Sequence, residues 1–371
     1  MTSERAAFVA LALTPGIGIA RLHALLSACS TSLGAFSAPF EFLCTIPGIG
    51  RAAATTIKER SPADGDVVIA AAERLGAELL VLDDPRYPQC LREIPDAAPL
   101  LFALGRLELL GTAAAAIVGS RDHTAYGAEV CRAVSAPAAS RGLTVVSGMA
   151  RGLDAIAHQA ALDVRGNTIG VLGNGLGIVY PAANRKLYER VATEGLLLTE
   201  FPPGERPNAG SFPRRNRLIS GLCRVTVVVE AAIGSGALIT ANAALEQGRD
   251  VMAVPGPITS ASSAGANALI RDGAEPLLAP ENLIAHFPDA RREDASTVAA
   301  ALPSGLSAPA ANLARHLTAT PTSVDALAGT AGLKVAEVMA ALSELEIAGA
   351  AKQHPGSRFA LQHTGPTFYG N

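Results

Sequence analysis

The sequence predicts an α/β protein built on a Rossmann-like, doubly wound and mostly parallel sheet, with a small helical domain before it and a winged helix domain after it. Between residues 66 and 287, short apolar segments alternate with helical stretches. Continuous apolar strands separated by helices are typical of a parallel sheet that is covered on both faces. Two Pro-Gly-Ile-Gly turns lie in the first 50 residues, and a helix pair followed by a hairpin lies near the other end of the chain.

Length and composition exclude several classes of protein. A chain of 371 residues is long enough for two or three domains. Its net charge of −3 excludes a polycation, so a nucleic-acid site must be a local patch. The five cysteines are scattered without a CxxC pair, which argues against a zinc site or a disulfide framework and favours a cytoplasmic protein. No uninterrupted apolar run is long enough for a transmembrane helix, so no membrane contact is expected.

The first 65 residues predict a helical domain of the helix-hairpin-helix or SAM-like type. Each of the two glycine turns, at 15–18 and 47–50, follows an apolar helix and begins another one. Glycine allows the tight turn, and the free N–H groups of the next helix can point at a phosphate. The sequence leaves open whether these turns contact DNA or only connect the helices of a small bundle.

The central domain, residues 66–287, contains seven predicted strands. They lie at residues 79–82, 114–118, 143–146, 168–172, 196–198, 225–229 and 250–254. Glycine-containing loops follow four of them, and in a parallel sheet such loops share the edge at which ligands bind. Because backbone N–H groups in these loops bind anions, we predict a groove for a polyanion. A complete dinucleotide-binding fingerprint and a Walker lysine motif are both missing from the sequence, so no cofactor is expected.

A basic segment at residues 212–221 lies just before one of the central strands. It places three arginines and one asparagine in four successive positions after Phe212 and Pro213. A guanidinium group holds phosphate through paired donors, and a phenylalanine ring can stack on a base. The alternative is the solvated start of a surface helix. The neighbouring glycine loops favour the interpretation that this segment is one wall of a phosphate groove.

One acidic residue suggests an alternative function. Glu230 follows a strand and could be the acid or base of a nucleotide-processing hydrolase, but no second acid is paired with it. Asp154 and His158 fall on one predicted helix, and we interpret both as structural residues. A third hypothesis is an interaction scaffold whose groove is vestigial. The sequence favours a binding protein that is not an enzyme.

The last part of the chain predicts a linker and a winged helix domain. Residues 288–308 are rich in Pro, Ala and Ser, which is typical of a linker. Residues 309–371 contain two predicted helices, at 323–328 and 334–347, and a hairpin at 350–361. The second helix carries three glutamates and one lysine, so the DNA backbone would repel it. Protein interaction or a structural role is therefore favoured over DNA reading.

The motifs of the central domain resemble those of one family, the DNA-processing protein A family (DprA, also called Smf). The resemblance rests, in family order, on residues 117–121, 126–127, 147–154, 179–184, 212–221, 228–231, 235–241, 246–249 and 265–274. The resemblance implies a protein that binds single-stranded DNA without sequence preference and has no catalytic activity. It further implies protection of incoming DNA in natural transformation, loading of RecA recombinase onto that DNA, and action as a homodimer.

Carried over position by position, the resemblance implies a DNA site and a dimer contact. The implied DNA-binding residues are Arg121, Gly148, Arg151, Phe212, Arg214, Arg215, Asn216, Arg217, Ser235 and Gly236. The implied dimer contact involves Asn267, Leu269 and Ile270.

The sequence departs from the family pattern in two places. Ala264 stands where many relatives carry a basic residue, and some relatives carry a Lys or Arg shortly before Phe212, where the approach Arg206-Pro207-Asn208-Ala209 offers only Arg206. A chain that neutralises one phosphate fewer has a salt dependence of binding that is flatter by roughly 0.7 log units per log unit of salt. We also expect charge reversal at Arg214 and Arg217 to abolish binding of single-stranded DNA while leaving the fold intact.

Overall fold

The computed structural model describes residues 3–290, 306–317, 322–354 and 357–361. The chain divides into two compact units, Met1–Arg291 and Arg292–Asn371. The first unit contains both the N-terminal helices and the sheet, so a division into domains at residue 65 stays a prediction. Most of the predicted linker at 288–308 lies outside the described residues, as do two residues of the predicted hairpin turn, Pro355 and Gly356.

A nine-stranded sheet forms the centre of the first unit, in the order β1-β2-β6-β5-β4-β3-β7-β8-β9. The strands are β1 Glu78–Val81, β2 Leu100–Gly105, β3 Ala114–Val118, β4 Thr144–Ser147, β5 Thr168–Val171, β6 Leu196–Thr199, β7 Val225–Val228, β8 Asp250–Ala253 and β9 Glu275–Pro276. Strands β3 to β9 pair in parallel, whereas β2 pairs antiparallel with both β1 and β6. The predicted mostly parallel sheet is confirmed; β2 and β9 were not predicted.

Helices cover both faces of this sheet. Those of the first unit are α1 Glu4–Ala12, α2 Ile19–Cys29, α3 Ser32–Ser37, α4 Phe40–Leu43, α5 Arg51–Lys58, α6 Ala63–Arg74, α7 Gln89–Arg92, α8 Ala125–Ser140, α9 Leu153–Asp163, α10 Arg185–Glu194, α11 Ser211–Gly221, α12 Gly236–Glu246, α13 Ala264–Arg271 and α14 Pro280–Ala285. Side chains of β3 alternate between the faces. Ala116 and Val118 pack with α11 and α12, while Ala115 and Ile117 pack with α8 and α9.

The order of the strands creates a crevice between β3 and β7. From β3 the chain proceeds through β4 and β5 to β6 on one side, and it then returns to add β7, β8 and β9 on the other side. The loops that leave β3 and β7 therefore diverge. In doubly wound sheets, ligands bind at this switch point beyond the carboxyl ends of the strands. The fold thus places residues 119–124 opposite residues 230–235.

The N-terminal helices are joined to the sheet by α1, which contributes to two hydrophobic cores. Val9 packs with residues of the sheet, and Leu11 packs with the helical bundle. Arg5 Nη2 donates a hydrogen bond to the carbonyl oxygen of Leu79 at 3.1 Å. Contact with α6 is close, because a Cβ atom at Gly65 would lie only 1.8 Å from the carbonyl oxygen of Ala6. The N-terminal helices therefore depend on the sheet for part of their packing.

The two predicted glycine turns are present and lie close to each other. Gly16 and Gly48 have φ angles of +80° and +81°, in the left-handed region that favours glycine. Arg21 Nη1 donates to the carbonyl oxygen of Gly16 at 2.6 Å, and its Cγ lies 3.7 Å from the position that a Cβ atom of Gly48 would occupy. One arginine of α2 therefore contacts both turns.

The second unit is a winged helix. Its described elements are α15 Ala308–Ala314, α16 Val324–Ala331, α17 Val335–Ile347 and a sheet with the order β10-β12-β11, formed by β10 Thr322–Ser323, β11 Ala351–His354 and β12 Arg358–Leu361. Glutamates of α17 accept hydrogen bonds from backbone N–H groups of Lys334, Ser307 and Gln353. These carboxylates therefore stabilise the unit itself. Across the described ranges no single helix is long and apolar enough to cross a membrane, and α16 and α17 reach that length and composition only as a pair bent by 103°.

Candidate nucleic-acid interface

Two adjoining clefts open at the carboxyl edge of the sheet. The larger has a volume of about 560 Å³ and the smaller about 250 Å³, and Arg121, Ala150 and Phe212 line both of them. Of the predicted DNA-binding residues, the larger cleft contains Arg121, Phe212, Arg215, Asn216, Ser235 and Gly236, and the smaller contains Arg121, Gly148, Arg151 and Phe212. Eight of the ten residues thus meet at one place, and the exceptions are Arg214 and Arg217.

Helix α11 explains why these two arginines are separated from the others. Phe212, Arg215, Asn216 and Ile219 follow the i, i+3, i+4, i+7 spacing of one helix face, and all four line the larger cleft. Arg214 and Arg217 are three residues apart on a different face. The basic segment therefore presents one arginine to the cleft and directs two away from it.

Arg215 provides a fixed positive charge in the floor of the larger cleft. The residue is 4% exposed, and its Nη1 donates hydrogen bonds to the carbonyl oxygens of Gly148 and Val171. A Cβ atom at Gly148 would lie 2.7 Å from Arg215 Nη2, so the close approach requires glycine. Burial lowers the pKa of Arg215 to about 10, while the carboxylate of Asp154 acts in the opposite direction. The guanidinium therefore stays charged at neutral pH.

Asp154 lies beside Arg215 in the same cleft. It is 7% exposed at the start of α9, and burial raises the pKa of its carboxyl group, whereas the charge of Arg215 lowers it. The sequence indicated a structural role for this residue. Its place in the lining shows that an acidic side chain also faces the ligand space, beside the guanidinium of Arg215.

Aromatic side chains lie at the boundary between the clefts. The rings of Tyr180 and Phe212 have their centroids 5.6 Å apart at an angle of 36°, and the guanidinium carbon of Arg121 lies 5.5 Å from the Phe212 centroid. Tyr180 is 48% exposed and lines the smaller cleft. Sequence reasoning missed it as a site residue, although a tyrosine beside a glycine loop in a chain with 4% aromatic residues is a usable signal. Such rings beside cations suit the stacking of bases.

The exposed arginines of the clefts are only weakly engaged by the protein. Arg151 Nη2 lies 3.5 Å from Asp122 Oδ1, and both side chains are more than half exposed. An exposed pair of this kind contributes between zero and about 1 kcal/mol. Arg121 is also exposed. Both arginines can therefore exchange their present contacts for a phosphate.

The start of α12 completes the far wall of the larger cleft. Ser235 is the N-cap residue, and its hydroxyl oxygen accepts a hydrogen bond from the N–H group of Ala237 at 3.3 Å. The side-chain amide of Asn216 donates to the carbonyl oxygen of Gly236 at 3.2 Å, which connects α11 to this wall. Free N–H groups at the start of a helix favour an anion.

Arg214 and Arg217 instead converge on Glu200, which sequence reasoning also missed. Glu200 Oε2 accepts hydrogen bonds from Arg214 Nη2 at 2.7 Å and from Arg217 Nη2 at 2.8 Å. Arg217 Nε also donates to Asp96 Oδ2 at 2.9 Å, and the Arg217 side chain is 13% exposed. Arg217 is therefore part of an internal ion-pair network.

Glu230, the acid of the alternative hydrolase, has a structural contact. It is 3% exposed, and its Oε2 accepts hydrogen bonds from the backbone N–H of Thr124 at 3.0 Å and from the Thr124 hydroxyl at 3.3 Å. Thr124 is the N-cap residue of α8. A Cβ atom at Gly127 would lie 2.1 Å from this carboxylate. Glu230 thus fixes the start of α8 and lines neither cleft.

His158 is fully buried behind the clefts and makes the chain sensitive to acid. Its Nδ1 lies 2.7 Å from Thr168 Oγ1, and burial lowers its pKa from 6.5 to about 3. Between these values the unfolded chain binds one proton more than the folded chain. The free energy of unfolding therefore falls as the pH decreases from 6.5 towards 3, by at most about 1.4 kcal/mol per pH unit.

We expect His158→Gln to remove the part of the pH dependence of the free energy of unfolding that His158 causes. Between pH 7 and pH 5, the unmodified chain should lose about 2 kcal/mol more free energy of unfolding than the variant. Urea denaturation at the two pH values measures this difference, and His23→Gln, at an exposed histidine, is the control. Equal losses of free energy of unfolding in the unmodified chain and in His158→Gln would contradict the lowered pKa of His158.

The residues predicted to form a dimer contact lie on α13. The side-chain amide of Asn267 donates to the carbonyl oxygen of Gly256 at 3.0 Å and accepts from its N–H group at 3.1 Å. Leu269 and Ile270 are half-buried against the core of the sheet. Asn267 therefore holds the loop after β8, and the two apolar residues keep part of their surface exposed. Within the described residues, no group of three or more metal-ligating side chains is present.

Comparison with known proteins supports the sequence resemblance. The family model described as DNA recombination-mediator protein A matches residues 78–288, and that of the DprA winged helix domain matches residues 297–357. The chain belongs to the DNA recombination-mediator protein A family. Protein Smf of Escherichia coli K12, a member with a curated name, is 40% identical over 303 residues, which cover 78% of this chain and 79% of that protein.

Solved structures of DprA proteins have the same fold. The X-ray structure of DNA processing protein A from Streptococcus pneumoniae aligns with a TM-score of 0.66 at 32% identity, covering 77% of this chain and 98% of that one. A structure of DNA processing protein A from Helicobacter pylori aligns with a TM-score of 0.52 at 29% identity, covering 56% of this chain and 94% of that one. The latter is described by its unique single-stranded DNA binding mode.

Proposed function

We propose that this DprA-family chain binds single-stranded DNA in the two clefts. The observation that carries the proposal is that Arg121, Arg151 and Arg215 lie with Phe212 and Tyr180 in two adjoining clefts at the carboxyl edge of the sheet. Cations beside aromatic rings bind the phosphates and bases of a single strand without reading its sequence. The single-stranded DNA binding mode described for the H. pylori protein supports this proposal.

We further propose that binding, and not catalysis, is the activity of this site. Glu230 is occupied in holding Thr124, and its carboxylate lies outside both clefts. Asp154, the acid that does face the larger cleft, lies beside the charge of Arg215. No described contact favours the alternative function as a nucleotide-processing hydrolase.

The cellular role that we propose is protection of incoming single-stranded DNA in natural transformation and loading of RecA recombinase onto it in the cytoplasm. The family description as a recombination mediator supports this role.

We also propose a homodimer formed through α13 with Asn267, Leu269 and Ile270. Its support is the exposed apolar surface nearby in sequence, where Ile258 is 96% exposed and Leu278 75% exposed.

Fluorescence anisotropy with a labelled oligothymidine and a duplex of equal length tests the proposed binding. We expect the single strand to bind more tightly than the duplex. If Arg121 and Arg151 supply the exchangeable phosphate contacts, the logarithm of the binding constant should fall with the logarithm of salt concentration with a slope of about −1.4 per chain. Absence of binding at low salt, or equal affinity for the duplex, would contradict the proposal.

A further inference from the structure

Glu200 is the shared anchor of the second face of α11. It directly follows β6, and its side chain is 1% exposed. One oxygen, Oε2, accepts three hydrogen bonds, from Arg214 Nε at 3.0 Å, Arg214 Nη2 at 2.7 Å and Arg217 Nη2 at 2.8 Å. Hydrogen bonds between charged groups are about twice as strong as neutral ones. The carboxylate therefore holds the helix at two positions one turn apart.

Further contacts hold both arginines in place. The guanidinium carbon of Arg214 lies 5.3 Å from the centroid of the Phe201 ring, and Arg217 reaches Asp96 in addition to Glu200. Asp96 precedes β3, whereas Glu200 and Phe201 follow β6. None of these three residues lines either cleft. The anchored face of α11 is thus distinct from the face that lines the cleft.

The position of this helix determines the geometry of the larger cleft. Side-chain ends lie about 5–6 Å from a helix axis, so a rotation of roughly 10° moves them by about 1 Å. The hydrogen bond from Asn216 to Gly236 is already 3.2 Å long, and a further 1 Å would break it. Phe212 and Arg215 would move with Asn216 because they are on the same helix face.

We propose that Glu200 is a positioning residue for DNA binding, a role that rests on the proposed function. Glu200 does not touch the strand. It holds Arg214 and Arg217 and thereby keeps α11 in the rotation that presents Phe212, Arg215 and Asn216 to the clefts.

The sign of a single substitution separates this role from simple electrostatics. Glu200 is a negative charge near a site for phosphates, so its neutralisation should tighten binding if charge alone mattered. Loss of the anchor should weaken binding despite the gain in positive charge. The two explanations therefore predict opposite changes in affinity.

The decisive variant is Glu200→Gln in the full chain, measured by anisotropy with oligothymidine. We expect the dissociation constant to rise at least 5-fold with an unchanged salt slope, because Arg121 and Arg151 remain. Glu205→Gln is the matched control, since Glu205 acts on Arg214 only through its charge and forms no ion pair with it among the described residues. We expect the control to bind equally well or up to 2-fold more tightly. Unchanged or tighter binding by Glu200→Gln, at whatever stability, would overturn the proposal.

Arg214→Lys gives a second test that keeps the net charge and involves a side chain that is 55% exposed. Lysine cannot provide the paired Nε and Nη2 donors. We expect Arg214→Lys to bind oligothymidine more weakly than the unmodified chain. The double variant with Glu200→Gln should have an affinity no lower than that of whichever single variant binds less tightly, because both changes break the same contact. Should Glu200→Gln fail to fold, Arg214→Lys decides, and unchanged binding by this variant contradicts the positioning role.

Hydrogen exchange distinguishes failure of this inference from failure of the proposed function. If the unmodified chain binds no oligothymidine, the proposed function is wrong. The amides of residues 211–221 then test the anchor without DNA, because loss of the anchor should speed their exchange in Glu200→Gln and leave it unchanged in Glu205→Gln. Equal exchange in the unmodified chain and Glu200→Gln would exclude the positioning role.

Discussion

Replacement of Arg215 by methionine is expected to lower the free energy of unfolding by about 3–5 kcal/mol. The substitution leaves the carbonyl oxygens of Gly148 and Val171 without their donor and leaves Asp154 without a neighbouring cation. Methionine fills much of the same volume, so the loss reports the buried contacts more than a cavity.

Urea denaturation measures this effect, and Arg132→Met is the matched control. Arg132 is exposed on α8, so its loss should cost no more than about 0.5 kcal/mol. Similar losses for the two variants would show that the burial of Arg215 does not determine its contribution.

Charge reversal at Arg121 should have the largest effect on DNA binding. Arg121 is exposed and lines both clefts, so Arg121→Glu replaces a phosphate donor by a repelling charge at their junction. The loss of a charge-assisted hydrogen bond and the new repulsion together predict a fall in affinity for oligothymidine of about 100-fold. Anisotropy at low salt measures the change, and circular dichroism checks the fold.

Arg132→Glu is the control for net charge. Arg132 is exposed on α8 and lines neither cleft, so this variant should retain most of the affinity. A comparable loss in both variants would show that general electrostatic attraction, and not contact in the clefts, determines binding.

The sequence predicted most of the sheet because its signal is local. Apolar runs separated by helices identify the parallel strands, and the loops after them then fall on one edge. Strand β2 carries the same kind of apolar run, Leu100–Leu104 between Pro99 and Gly105, but the prediction missed it. Its antiparallel pairing with β6, 91 to 97 residues further along the chain, could not be predicted because distant partners leave no local pattern in the sequence.

The candidate site was predicted less completely, because a cluster in sequence is not a cluster in space. Four successive positions on a helix point in directions about 100° apart. Arg215 and Asn216 reach the cleft, whereas Arg214 and Arg217 contact Glu200. The structure therefore changes one expectation. Charge reversal at Arg217 would place an acid against Glu200 and Asp96 and should destabilise the fold that it was expected to leave intact.

The two departures from the family pattern also occupy different places. Ala209 lines the larger cleft, so a basic residue there would face the ligand space directly. Ala264 begins α13 and is absent from the described linings of both clefts. We therefore expect the missing basic residue at Ala209 to weaken the binding of phosphate more than the missing basic residue at Ala264.

The packing of α1 has a consequence for how such chains can evolve. Because Val9 and Leu11 face different hydrophobic cores, the segment before the sheet is not an interchangeable module. A gene fusion that joined the leading helices of one relative to the sheet of another would combine two halves of a packing that were never selected together. Because this junction must be kept, the leading segment can be exchanged less freely than the winged helix, which lies in a separate compact unit.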